Sequence, residues 1–69
     1  MVKNREYWLE KIENYFYVSN EQAKLIYGIT ENYLINTRAT TGFALRAISN
    51  KEYFGLTEKD RKELENIIG

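Results

Sequence analysis

Cysteine, histidine and proline are all missing from this sequence. Without cysteine there is no disulfide framework, no thiolate zinc site and no thiol nucleophile. Without histidine the usual general base and the commonest neutral metal ligand are gone too. Proline-rigid loops are likewise excluded, so a small chain must stand on packing alone or on a partner. Long apolar runs are also absent, and nothing in the pattern suggests a membrane span. The first twenty residues carry charges throughout and lack the apolar block of a signal peptide. A soluble, cytoplasmic, non-enzymatic protein without cofactor or metal is the first expectation.

What is present is aromatic. Trp8, three phenylalanines and six tyrosines lie within 69 residues, room for one small domain spanning 1–69. Such side chains bury a large area each and suit a thin core. Hydrophobic residues make up 43% and charged residues 29%, a globular mixture rather than a disordered one.

A net charge of zero hides an uneven distribution. Residues 1–31 sum to −1, residues 32–51 to +3 with no acid, and residues 52–69 to −2. The cations of the middle third are Arg38, Arg46 and Lys51, set among Asn32, Asn36, Thr37, Thr40, Thr41, Ser49 and Asn50. Cations among short amides and hydroxyls are what phosphate and base-edge contacts use. Ordinary solvated surface is the competing explanation.

Helical spacing of Trp8, Leu9, Ile12, Tyr15 and Phe16 predicts a first helix over 5–16. Ser19-Asn20-Glu21-Gln22 reads as a capping box opening a second helix. Gly28 favours a stop there, and Thr30 a fresh N-cap, giving helices 20–27 and 30–38 around a turn at Gly28-Ile29-Thr30. One helix from 20 to 37 that tolerates Gly28 is the alternative. Residues 43–56 are ambiguous: a short helix capped by Thr41, or a β-hairpin turning at Ser49 to Glu52. Thr57 caps a last helix to residue 68, with Leu64, Ile67 and Ile68 as its apolar stripe.

In this order, residues 17–34 (YVSNEQAKLIYGITENYL) resemble the start of small excisionases of conjugative transposons and phages. Those are relatives of the MerR-type winged helix-turn-helix. The shared features are Ser19, Glu21, Gln22, Ala23, Tyr27, Ile29, Glu31, Asn32 and Leu34. The resemblance implies a mainly α fold with 43–56 as wing, and a protein that binds duplex DNA and directs recombination or regulates transcription. It would place Thr30, Asn32, Tyr33 and Asn36 in the major groove, with Arg38, Arg46, Asn50 and Lys51 on phosphates or at the wing. Double-stranded DNA is then the partner, with a recombinase or other protein beside it and weak self-association on DNA. About three phosphate contacts imply a salt slope near −3 and weak non-specific affinity.

The sequence departs from that family at Ile35, Asn36 and Thr37, and at the singly basic wing tip Lys51-Glu52. A second function class therefore stands beside the first: a module that modulates a host or phage protein through Tyr33, Ile35 and Tyr53, since interface cores favour tyrosine. The carboxylate pairs Glu10/Glu13 and Asp60/Glu63 could in principle serve acid–base chemistry, but solvated helix faces explain them.

Overall fold

Asn4 opens the first helix: its side chain accepts from the Tyr7 amide at 2.9 Å, and Glu6 lies in the first turn where the helix dipole favours it. In the computed structural model, which describes residues 3–69, this helix α1 spans Arg5–Phe16, as the spacing predicted. It buries Trp8, Leu9 and Ile12. It ends at Tyr17, held left-handed at φ 56°, with the Val18 amide bonded back to the Glu13 carbonyl.

A three-residue link, 17–19, turns the chain back so that the next helix packs along α1. The capping box forms as read. Ser19 Oγ accepts from the Gln22 amide at 3.2 Å, and Gln22 Oε1 accepts from the Ser19 amide at 3.2 Å.

The favoured turn at Gly28 does not form. Helix α2 runs without interruption over Asn20–Asn36, so helices 20–27 and 30–38 are one element. The physical reason lies on its inner face. Ala23, Ile26, Tyr27, Thr30 and Leu34 are all buried along it, and a break would scatter them. Against that, an exposed glycine costs only about 1 kcal/mol relative to alanine. Thr30 is not a cap. Its hydroxyl donates to the Ile26 carbonyl one turn back at 2.8 Å, which lets a hydroxyl sit in the core.

Thr37 to Thr40 carry the chain into α3, Thr41–Ser49. Of the two alternatives for 43–56, the short helix is the one adopted; its cap is Thr40 rather than Thr41, accepting from the Phe43 amide at 3.3 Å. No strand forms among the described residues, so the hairpin wing has no counterpart there. Burial decides what local propensity left open: Ala44, Leu45 and Ile48 fall on one side at helical spacing and enter the core. The helix closes in a Schellman arrangement around Lys51 at φ 57°, with the Glu52 amide on Ala47 and the Lys51 amide on Ile48.

Helix α4, Glu58–Ile68, begins at the predicted cap Thr57, which accepts from the Asp60 amide at 3.1 Å. Its Leu64 is buried, and Ile67 and Ile68 pack partly against the core. The architecture is thus four helices: α1 lies on α2, α2 also receives α4, and α3 rests on α1. Trp8, Ile12, Ile26, Ile48 and Leu64 meet at the centre. Among the described residues no helix is long and apolar enough to cross a membrane.

Candidate nucleic-acid interface and a neighbouring cleft

The eight residues expected to touch DNA fall into three groups. Thr30 is 1% exposed and faces the core, so it is not part of any surface. Its place in the expected groove-facing set rested on a turn that the helix fills in.

Asn32, Tyr33 and Asn36 do come together, on the outer side of α2 one turn apart. Asn36 Nδ2 donates to the Asn32 carbonyl at 2.7 Å. The Tyr33 ring leans on Tyr53 with centroids 5.0 Å apart and planes at 32°. With Phe54 and Asp60 they line a cleft of about 490 Å³. The charged group here is a carboxylate, which opposes phosphate. Tyr53 reaches this cleft from the 50–57 loop, and its hydroxyl is buried with no hydrogen-bond partner among the described residues. Burial, and then the charge of Asp60, push its ionisation up to about 12.

Arg38, Arg46 and Asn50 form the third group, in the turn before α3 and along α3. Arg46 and Asn50 share an exposed face with Gly42 and Phe43. Phe43 is 63% exposed, so this face is not core. The linear sequence gave no hint that Lys3 joins them. Its Nζ donates to Thr41 Oγ1 at 2.9 Å and sits 5.4 Å from the Trp8 ring centroid. Tyr7 hydroxyl bonds the same Thr41 oxygen. Lys3 and Arg38 then line one shallow depression, whose floor includes Trp8 and Leu34.

The chain matches no known family model, no characterised protein and no solved structure. Chemistry must therefore be read from the surface itself. The amino end of α3 carries no acid in its first turn, exposes its leading amides and has Lys3 and Arg38 beside it. Those features add to the positive end of the helix dipole. Glu52 lies at the opposite end, near Arg46 and Asn50. Lys51, expected at the wing tip, is turned away: its Nζ donates to the Gly69 carbonyl at 3.0 Å.

The remaining carboxylate pairs do not converge on a site. Glu13 accepts from Asn20 Nδ2 at 2.8 Å as an inter-helix tie. Among the described residues no three His, Cys, Asp or Glu side chains cluster as metal ligands.

Proposed function

We propose that this chain is a small duplex-DNA-binding protein whose recognition element is α3. The pair α2 and α3, joined by the four residues 37–40, serves as its helix-turn-helix, one element later than the spacing around Gly28 suggested. The observation that carries this is the exposed face of α3, acid-free over Thr41–Ser49, with Lys3 and Arg38 at its amino end. At nine residues α3 is about 13 Å long, enough to lie in one major groove.

Roles follow from position. Lys3 and Arg38 hold phosphates on either side of the helix start. Arg46 is placed to read guanine and Asn50 adenine, while Phe43 meets a thymine methyl. The biological setting is the excisionase-like one that residues 17–34 resemble, a protein acting beside a recombinase or as a small regulator. What supports it is α3 rather than the resemblance, because the turn on which that rested is helical.

Three cations give a salt slope of about −3, which costs roughly 40-fold in affinity between 50 and 200 mM salt. Fluorescence anisotropy with a mixed-sequence duplex at low salt tests the proposal. Arg38→Glu with Arg46→Glu removes binding while the circular dichroism spectrum is kept; unchanged binding in that variant refutes it.

A further inference from the structure

Asn32, Asn36, Tyr33, Tyr53, Phe54 and Asp60 frame a cleft that the DNA-binding face does not use. Its shape and chemistry are specific. Two tyrosine rings form one wall, and Phe54, 94% exposed, stands at the rim. Gly55, at φ 92°, lets the loop turn sharply there. Asp60 is half-buried, and among the described residues no lysine or arginine lies within ion-pair distance of it. The Tyr53 hydroxyl, buried and unpartnered, is a group for which a protein normally finds a donor or acceptor. Amide oxygens of Asn32 and Asn36 lie on the α2 side.

We infer that this cleft receives an arginine side chain presented by a partner protein. Each wall has a matching part of a guanidinium. The planar cation stacks on tyrosine faces, its fork pairs with a carboxylate, and its remaining N–H groups meet neutral oxygens. Tyr53 keeps its proton through neutral pH, so its oxygen accepts from the cation without adding a second negative charge. A phosphate fits badly, because Asp60 repels it and no cation lines the cleft. A small free cation would leave Phe54 and the half-buried Ile29 bare, whereas a peptide segment covers them with the residues flanking its arginine. This inference does not depend on the DNA-binding proposal, since it uses a different face and opposite charge.

The test titrates the ¹⁵N-labelled protein with acetyl-Leu-Arg-Leu-amide, with the same peptide carrying citrulline, and with methylguanidinium. Saturable amide shifts at 32–36, 53–55 and 60 with the arginine peptide, at least tenfold weaker with citrulline and with methylguanidinium, are the expected result. Asp60→Asn weakens the arginine peptide about tenfold with no change in the rest of the spectrum, and Tyr53→Phe weakens it less. Equal binding of the citrulline peptide, or no loss in Asp60→Asn, overturns the inference. So does equal binding of methylguanidinium, which would make the site one for small cations. A duplex oligonucleotide that shifts these same residues instead of those on α3 also overturns it.

Discussion

Replacing Gly28 by alanine separates one continuous helix from two helices joined by a turn. In the structure Gly28 sits mid-way along α2, solvent-exposed, and an added Cβ would meet no atom within 4 Å. The substitution therefore introduces no clash, and the methyl group removes the backbone freedom that glycine loses on folding. Helix propensity puts the gain at about 1 kcal/mol. For a chain of this length the unfolding entropy is about 0.14 kcal/mol/K, so the melting temperature should rise by about 7 °C. The assay is thermal unfolding followed by circular dichroism, with a urea titration to check that the slope is unchanged. If instead a turn existed at 28–30 with a left-handed glycine, the same change would cost about 1–2 kcal/mol and lower the midpoint. A fall, or no change, refutes the continuous helix. Gly28→Pro should do the opposite, costing about 3 kcal/mol by removing a hydrogen bond within the helix.

Thr30→Val keeps the shape of a buried side chain and gives up only a hydroxyl bonded to its own helix, so stability should shift by less than about 1 kcal/mol in urea unfolding and duplex binding not at all. Tyr17→Gly should stabilise by up to about 1 kcal/mol, because the left-handed end of α1 strains tyrosine but not glycine and the ring is 93% exposed; a lower melting temperature would refute this. The Tyr53 phenol ionises later in the folded chain, up to about 12 against 10, so its contribution to stability is complete below pH 10 and is lost as the pH rises towards 12. Urea midpoints measured across that interval should fall in the parent more steeply than in Tyr53→Phe.

Both outer helices were legible because their signals are local. Asn4 and Thr57 cap the ends, and Trp8, Leu9 and Ile12, or Leu64, Ile67 and Ile68, fall on one face. Ser19 and Gln22 likewise needed only each other. Gly28 and Thr30 misled because each has a local meaning that long-range packing overrides: glycine as a stop, threonine as a cap. Phe43 to Ile48 was undecided until Ala44, Leu45 and Ile48 had something to pack on, which α1 supplies. The surfaces divide the same way. Arg46 and Asn50 could be picked from the acid-free middle third, but the arrival of Lys3 beside Thr41 and of Asp60 opposite Asn36 depends on helices far apart in sequence.

The way the helices are joined also bears on how fast the chain finds its structure. α1 meets α2 through a three-residue link, and the α3 cap follows α2 within four residues, so much of the framework is assembled from sequence neighbours. Only α4 must close a longer loop to reach α2. Helical folds built from such near contacts cross their barrier in microseconds to milliseconds. With no proline in the sequence, no fraction of the unfolded chains waits on a slow peptide isomerisation. Every molecule released from denaturant, or newly made, starts from the same rapidly exchanging ensemble, and the exposed aromatic surface of the unfolded chain is short-lived as a result.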